Sequence, residues 1–467
     1  MKQIMALVLA ALMALSIGAM AEGAEGQTID WSARYTYSEL EDQLEAMNAA
    51  YPEITSLYPI GNSWQERALW CLEITNPAIA KEDKTGIAVM ANIHGGERES
   101  AACAMYFAWW LTENSASDEV KAMLDEYDIY VVPVINPDGY EQSFVYNTRQ
   151  NLRPMDNNGD GVPFSDPYTD VDGDGYIATL YRGTADAQPN PRETPSFGME
   201  SPDWDKNGIL GDDARNSGID MNRTFDYQWN RFDIETVDSE EGVIGCNAYS
   251  RAGSSAASEP EVQAVQNFLL NNDIDAMATL HTGIQCVLYP WCYRPYDETV
   301  DSDDIPYMKE VAAKMAAAFQ ETTGRGFYSK SSYEDYPTSA ELIDYAYGRL
   351  NIKAYTIEVY SGGKSESGDI ADCKWENELP EAKWVFYTQD ELTEMGYDVA
   401  ALTDKEGATL SDGEGLWFYT SSTAQMVDKA PEGQEIMVEG CKDALLVMIG
   451  SEPYGEGYTK PEYLNWK

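Results

Sequence analysis

Residues 87–97 read Ile-Ala-Val-Met-Ala-Asn-Ile-His-Gly-Gly-Glu, and residues 274–281 read Ile-Asp-Ala-Met-Ala-Thr-Leu-His. The two stretches contain His94 and His281, the only histidines among 467 residues. Short apolar runs of this kind indicate buried strands, and the sites of open α/β sheets gather at the carboxyl ends of strands. We therefore expect both histidines to lie at one edge of a sheet.

Helical and extended patterns alternate from Tyr35 onward. The predicted helices cover Tyr37–Ala50, Ala101–Leu111, Pro260–Leu270, Val311–Phe319 and Ala340–Leu350. The predicted strands cover Ile54–Ile60, Ala68–Ile74, Ile87–Ile93, Ile129–Ile135, Ile274–Leu280, Cys286–Trp291 and Lys353–Val359. Strands that alternate with helices are typical of an α/β fold, so we predict a mixed, mostly parallel central sheet with helices on both faces.

The start of the chain has the pattern of a secretory signal peptide, which we assign to residues 1–21. Lys2 supplies the basic start, Ile4–Ile17 is the apolar stretch, and Ala19-Met20-Ala21 is a small-residue cleavage motif. We expect a secreted, extracellular protein that begins with a short extension, residues 22–34.

The rest of the chain divides into a large and a small unit. Residues 35–396 carry the alternating pattern and are predicted to form the catalytic domain. In residues 397–467 the apolar runs Leu416–Tyr419 and Ala444–Ile449 resemble short strands, which predicts a small β-rich C-terminal appendage. For this appendage we expect contact with a cell wall or a polysaccharide.

Composition excludes two classes of partner. With 80 acidic and 31 basic side chains the formal charge is −49, so the chain repels nucleic acid and anionic membrane surfaces. Beyond the signal no stretch reaches the ~20 apolar residues of a membrane-spanning helix, and we expect no membrane insertion. Seven cysteines leave at least one thiol unpaired, and their spacing does not fix a disulfide connectivity.

The histidine motifs fit a catalytic metal site. A catalytic zinc takes three protein ligands and keeps an open position. His94 and Glu97 are three residues apart, so both side chains can point to one side of a strand-to-helix turn. His281 can complete the set if its strand lies near the first one. We predict His94, Glu97 and His281 as ligands of a single zinc ion.

Taken in order, these and five further motifs resemble the zinc metallocarboxypeptidases of the carboxypeptidase A family, from about Tyr35 to about Leu392. The resemblance implies a peptide substrate and the zinc ligands His94, Glu97 and His281. It assigns the stabilisation of the oxyanion to Arg149, the binding of the terminal carboxylate to Asn222 and Arg223, closure over the substrate to Tyr336, and general base catalysis to Glu358. Asn136-Pro137-Asp138-Gly139 matches a structural turn of the family.

Each implied role suits the chemistry of its residue. Glu358 interrupts an apolar strand, where a carboxylate can take a proton from water and deliver it to a leaving amine. Arg149 can meet the charge that develops on a tetrahedral oxygen, with Arg153 as second candidate. A guanidinium binds carboxylate in a fork, so Arg223 beside Asn222 favours cleavage at the C-terminus.

The specificity pocket has two candidate residues. Ile343, beside Asp344, matches the position that selects the terminal side chain in the family, and it favours aromatic or aliphatic termini. Glu341, in a segment that departs from the small residues usual there, would instead admit Lys or Arg.

An acidic insert, residues 154–216, separates Arg149 from Asn222. Three of its loops alternate oxygen ligands and place a glycine at the sixth position, as calcium loops do. Their candidate ligands are Asp156, Asn158 and Asp160; Asp170, Asp172 and Asp174; and Asp203, Asp205 and Asn207. None has glutamate at position twelve. We expect calcium to order this insert, the alternative being an acidic flap without ions.

Together these motifs predict a secreted, zinc-dependent exopeptidase that hydrolyses the C-terminal bond of peptides. One alternative is a peptidase of peptidoglycan stem peptides, which uses the same chemistry. The other is an inactive binding or adhesion module on the same scaffold. Glu358 argues against the inactive module, because a binding protein has no need of a general base.

Overall fold

The computed structural model describes residues 28–214, 218–229, 231, 252–360, 380–422, 424–426 and 429–450. The predicted signal peptide, residues 1–21, lies outside this part of the chain. Among the described residues no helix combines the length and the apolar character needed to cross a membrane.

The helices are α1 (Tyr37–Ala50), α2 (Arg98–Glu113), α3 (Asp118–Glu126), α4 (Pro137–Gln142), α5 (Pro260–Asn271), α6 (Asp304–Thr323), α7 (Ser332–Asp335), α8 (Leu342–Leu350), α9 (Gln389–Glu394) and α10 (Gln434–Gly450). The strands are β1 (Thr55–Asn62), β2 (Ala68–Ile74), β3 (Thr85–Ala91), β4 (Tyr127–Val132), β5 (Thr179–Gly183), β6 (Ser196–Met199), β7 (Ala276–His281), β8 (Cys286–Tyr289), β9 (Tyr328–Ser331), β10 (Lys353–Glu358), β11 (Lys383–Thr388) and β12 (Gly415–Thr420). Each helix and strand predicted in the α/β region has a counterpart, with ends that differ by a few residues.

The main sheet has eight strands in the order β1-β2-β4-β3-β7-β10-β8-β9. Its four central strands, β4, β3, β7 and β10, run parallel to one another. β2 is antiparallel to β4, and β8 is antiparallel to β10. The predicted mixed, mostly parallel sheet with flanking helices is confirmed.

Both faces of the central strands are buried, as a parallel sheet between two helix layers requires. In β3, Ile87 and Val89 face the larger core cluster, whereas Ala88 and Met90 face the cluster on the other side. Each fully buried aliphatic side chain contributes roughly 1.5–3 kcal/mol to stability. The two clusters therefore hold the carboxyl ends of β3, β7 and β10 in fixed positions.

A second, four-stranded antiparallel sheet has the order β11-β12-β5-β6. β5 and β6 belong to the acidic insert, while β11 and β12 come from more than 180 residues later in the chain. One face carries its own small core, which includes Leu180, Phe197, Leu416 and Phe418. The small β-rich unit is thus present, but it combines the insert with part of the predicted appendage.

The end of the chain requires a correction. The run Ala444–Ile449, predicted as a strand of the appendage, lies within α10. Met437, Val438, Cys441, Leu445 and Met448 of this helix belong to the larger core of the main sheet. The prediction that residues 397–467 form a separate β-rich appendage is therefore wrong for α10, which completes the main body.

Candidate active site

Three adjacent parallel strands deliver three of the predicted site residues. His281 is the last residue of β7, Glu358 is the last residue of β10, and the two are register partners. His94 follows three residues after the end of β3, which pairs with the other side of β7. The sheet order alone therefore brings both histidines and Glu358 to one edge.

The turn after β3 is shaped by Asn92, which the sequence analysis missed. Its φ is 54°, in the left-handed region, which asparagine tolerates better than most residues. Its Nδ2 donates to the carbonyls of His94, Gly95 and Glu97 at 3.0–3.2 Å. An asparagine two residues before the histidine was the only signal available for this role.

The two glycines of this turn allow a close approach of backbones. A Cβ on Gly95 would lie 2.3 Å from the carbonyl carbon of Gly139, in the Asn-Pro-Asp-Gly turn. A Cβ on Gly96 would lie 1.6 Å from Oδ1 of Asn147. The glycines thus let the turn pack tightly while His94 and Glu97 face the same side.

His94, Glu97 and His281 offer ligand atoms that all lie within 4.8 Å of one another. The two histidine Nδ1 atoms are 3.2 Å apart. Glu97 Oε1 lies 2.8 Å from His94 Nδ1, and Oε2 lies 3.1 Å from His281 Nδ1. Two nitrogen ligands of a tetrahedral zinc would be separated by about 3.3 Å. The nitrogen and carboxylate donors of this group therefore fit zinc in type and spacing.

The ligands have partners of their own, as is usual around metals. His94 Nε2 lies 3.3 Å from Asp220 Oδ1, and His281 Nε2 lies 3.3 Å from Thr279 Oγ1. The Thr282 N–H donates to Glu97 Oε2 at 3.1 Å. Asp220, two residues before Asn222, was not among the site residues predicted from the sequence.

Asp220 also orients Arg149. Arg149 Nε donates to Asp220 Oδ2 at 2.7 Å, and Nη1 lies 3.6 Å from Glu97 Oε1. Although burial opposes it, the guanidinium groups of Arg149 and Arg223 hold the pKa of Asp220 well below its usual range. Arg153, the second candidate for the oxyanion role, instead pairs with the buried Glu259 at 2.9 Å.

Asn222 and Arg223 lie in a 3₁₀ turn, Met221–Arg223. Asn222 Oδ1 accepts the N–H of Leu342, the first residue of α8, at 2.9 Å. The carbonyl of the amide is therefore engaged, which leaves the Nδ2 donor for a ligand. Arg223 Nη2 donates to the hydroxyl of Tyr336 at 3.1 Å, although the Tyr336 side chain is 42% exposed.

The two pocket candidates lie in different places. Glu341 is buried, and its Oε1 lies 3.0 Å from Arg223 Nη1 and accepts a hydrogen bond from Thr338. Ile343 is 1% exposed and packs in the core between the sheet and its helices. Because α8 begins at Leu342, Ile343 faces this core, and the structure does not bring it to the site.

A cavity of about 220 Å³ joins these groups. Its walls include His94, Glu97, His281, Arg149, Asn222, Arg223, Tyr336, Glu341 and Glu358. Within the described residues, Glu358 Oε2 is buried without a hydrogen-bond partner. Burial raises the pKa of Glu358 to about 8, as expected for a carboxyl held in a closed site.

The predicted calcium loops are only partly gathered into clusters. Asp156 and Asp160 converge with the buried Asp213. Asp170, Asp172 and Asp174 form a second group. In the third loop, Asp205 accepts from Asn158 and Asn207, and Asp203 Oδ1 is buried without a hydrogen-bond partner among the described residues.

The insert joins the main body through a narrow neck beside the site. Asn151 N donates to the Ile219 carbonyl at 3.0 Å, and Ile219 N donates to Asn151 Oδ1 at 2.9 Å. Arg149 and Asp220 lie immediately outside this neck. The two chain segments that connect the insert to the main body therefore also carry the Arg149–Asp220 ion pair, which flanks the zinc-site residues.

Residues 40–373 match the model of the zinc carboxypeptidase family. Mast cell carboxypeptidase A of Homo sapiens is 24% identical over 68% of this chain, and the match spans 61% of that relative's length. Carboxypeptidase B of Astacus astacus is 25% identical over 72% of this chain and 89% of its own length. The crystal structure of carboxypeptidase A from Helicoverpa armigera covers 80% of this chain and 75% of its own, with 17% identity and a TM-score of 0.51. The chain thus belongs to the zinc carboxypeptidase family.

Proposed function

We propose that this protein is a secreted, zinc-dependent exopeptidase that removes single residues from the C-terminus of peptides. The observation that carries the proposal is one cavity shared by the zinc-type donors, Glu358 and the Asn222–Arg223 pair. The first two supply hydrolysis, and the third distinguishes a chain end from an internal peptide bond.

Zinc held by His94, Glu97 and His281 would polarise a carbonyl oxygen and lower the pKa of water. Glu358 takes a proton from the attacking water at its buried carboxylate and delivers it to the leaving amine. Arg149, oriented through Nε by Asp220, directs its terminal nitrogens to the oxygen that becomes negatively charged.

Peptide digestion followed by mass spectrometry tests this proposal. The zinc-loaded protein should remove C-terminal residues one at a time, and Glu358→Gln should lower kcat by about 10²–10⁴-fold. Zinc content, measured in both proteins, should stay the same. Cleavage at internal bonds would contradict the exopeptidase assignment.

The same experiment separates the alternatives. Release from isolated peptidoglycan stem peptides, with linear peptides left intact, would favour a cell-wall peptidase. Binding of peptides without any cleavage by the zinc-loaded protein would favour an inactive module.

For the terminal residue we propose a preference for Lys or Arg, through Glu341. In the absence of substrate its carboxylate neutralises Arg223, at 3.0 Å. A basic terminal side chain brings its own cation to Glu341 and frees Arg223 for the substrate carboxylate. An apolar side chain would instead leave a buried charge without its partner, which is costly. This reverses the preference that Ile343 suggested.

Glu341→Gln tests this preference. The ratio of kcat/KM for peptides ending in Lys to those ending in Phe should fall by about 30-fold or more. Ile343→Val is the matched control and should leave the ratio unchanged. If the ratio changes in Ile343→Val but not in Glu341→Gln, the result would instead favour the apolar preference through Ile343.

We also propose calcium as a structural cofactor of the insert. Neighbouring acids would supply the distal ligand that the sequence of the loops lacks. Asp213 converges with Asp156 and Asp160 of the first loop, and Asp212 accepts a hydrogen bond from Asn207 of the third loop. Because Arg149 and Asp220 border the neck, calcium should help to hold them. Exchange into calcium-free, zinc-buffered medium should raise KM at constant zinc content, and an unchanged KM would contradict the link.

Contact with polysaccharide is proposed for the second sheet. Trp384 packs against Tyr419 and Tyr181, and Phe386 packs against Trp417, with ring centroids 4.4–5.8 Å apart. Such a face suits the apolar faces of sugar rings. Retention on insoluble cell-wall polysaccharide, lost in Trp384→Ala but not in Trp204→Ala, would support it. Equal retention of both variants would argue against this face.

A further inference from the structure

Two buried thiols meet where the last helix crosses the main body. Cys103 lies on α2 and Cys441 lies on α10, two helices that pack against each other. Both side chains are 0% exposed and belong to the same core cluster. The Cys103 thiol lies within hydrogen-bonding reach of Cys441 Sγ.

The other cysteines in the described part of the chain have different neighbours. Cys71 contacts the hydroxyl of Tyr58, and Cys286 contacts Tyr328. Cys292 Sγ lies 3.5 Å from Glu341 Oε2. Cys246 and Cys373 lie outside the described residues. Among the described cysteines, Cys103 and Cys441 are therefore the pair whose thiols face each other.

We propose that Cys103 and Cys441 form a structural disulfide that ties α10 to α2. The proposal rests on the proposed export, because disulfides persist in oxidising compartments. The bond forms by exchange with a disulfide donor: both thiols lose their protons, one Sγ–Sγ bond forms, and the donor is reduced to two thiols.

Burial determines when this step takes place. It raises the pKa of the Cys103 thiol well above its usual value, so the reactive thiolate is scarce in the folded protein. The donor therefore reacts while the chain is folding. The closed loop would contain most of the catalytic domain and the whole insert, and long loops restrict the unfolded chain most. The bond would also anchor the helix that starts directly after Glu97.

The test is a thiol map of the full-length protein, refolded with zinc and calcium in a glutathione redox buffer. Thiols are alkylated in denaturant, and a non-reducing digest is read by mass spectrometry. We expect a cross-linked peptide containing Cys103 and Cys441, two hydrogen atoms lighter than the separate peptides. Alkylation of both residues in active, oxidised protein would overturn the proposal. The buffer supplies the oxidant, so a failure of export leaves this readout intact.

Thermal unfolding gives a second, independent readout. Cys441→Ser should lower Tm by about 3–8 °C under oxidising conditions, and most of this difference should vanish in the presence of a reductant. Cys71→Ser, a buried thiol with a different neighbour, should keep the cross-linked peptide. A Tm difference that is equal with and without reductant would mean that Cys441 acts only through packing.

Discussion

The zinc-site residues and the acidic loops of the insert are both clusters of ligand-type side chains, yet they are held differently. Glu97 is fixed by two imidazoles and the N–H of Thr282, and its neighbours stand at the ends of buried strands. Asp156 and Asp170 are held by the N–H groups of their own loops, such as those of Gly159 and Gly173.

This difference indicates which group of side chains is already in position before an ion binds. The core on both faces of the sheet would hold His94 and His281 near each other even without zinc. The insert carries like charges whose repulsion a bound cation would relieve. Zinc should therefore determine activity with little effect on the fold, whereas calcium should determine the fold of the insert and act on activity indirectly.

The largest expected effect comes from His281→Ala. The variant should lose stoichiometric zinc and all measurable peptidase activity, because a catalytic zinc needs three protein ligands. Its calcium content and circular dichroism should match the parent. A collapse of the fold would show that the zinc site is not preformed.

Asp220→Asn should have an intermediate effect. Loss of the carboxylate beside His94 and Arg149 should lower zinc affinity or kcat/KM by about 10–100-fold. Zinc affinity and kcat should be measured separately, because the first reports on the contact of Asp220 with His94 and the second on its contact with Arg149. Asp226→Asn, at an exposed position, is the control. If zinc affinity and kcat both match those of the parent, Asp220 contributes neither to zinc binding nor to catalysis.

Asp213→Asn tests whether the first acidic loop of the insert binds calcium. At a calcium concentration of 100 times Kd, calcium should stabilise the parent by about 2.7 kcal/mol, and the variant should lose most of this calcium-dependent gain in Tm. Zinc content should stay unchanged. A calcium-dependent Tm equal to that of the parent would exclude Asp213 as a ligand.

The smallest effect concerns Glu261, a buried carboxyl beside the neck. Burial raises its pKa to about 8, whereas the unfolded chain ionises near the ordinary value of about 4.3. Between these two values the folded state binds more protons, so its stability falls as pH rises. Glu261→Gln removes this dependence. The difference in free energy of unfolding between the variant and the parent should therefore shift in favour of the variant by about 1–3 kcal/mol from pH 5 to pH 8. Urea unfolding at a series of pH values measures this difference. If the free energies of unfolding of parent and variant change with pH in the same way, the prediction is wrong.

The sequence was sufficient for the parts of the molecule that obey local rules. Apolar runs ending in His94 and His281 located the metal group, because parallel strands present their carboxyl ends at one edge. The start of α8 was less predictable: the helix begins at Leu342, two residues after the predicted start, and Glu341 precedes it as the N-cap residue. Boundaries of this kind depend on tertiary contacts, here the hydrogen bond from Leu342 to Asn222.

Three features could not be predicted from local sequence patterns. A short apolar run such as Ala444–Ile449 has no periodicity that separates a buried strand from a buried helix. The second sheet pairs β5 with β12, and no window of sequence contains both. The role of Asn92 was hidden as well, because a single asparagine before a turn has many explanations.

The pairing of β5 with β12 has a consequence for the order of folding. β5 ends at Gly183 and β12 begins at Gly415, so β5 cannot complete its pairing until a strand that is synthesised much later is available. Contacts of such long range form slowly. Until then, the edge of β5 is available to other strands, as unpaired edges are in general. A chain cut short before Gly415 should therefore aggregate through the insert, even though all the zinc ligands are already present.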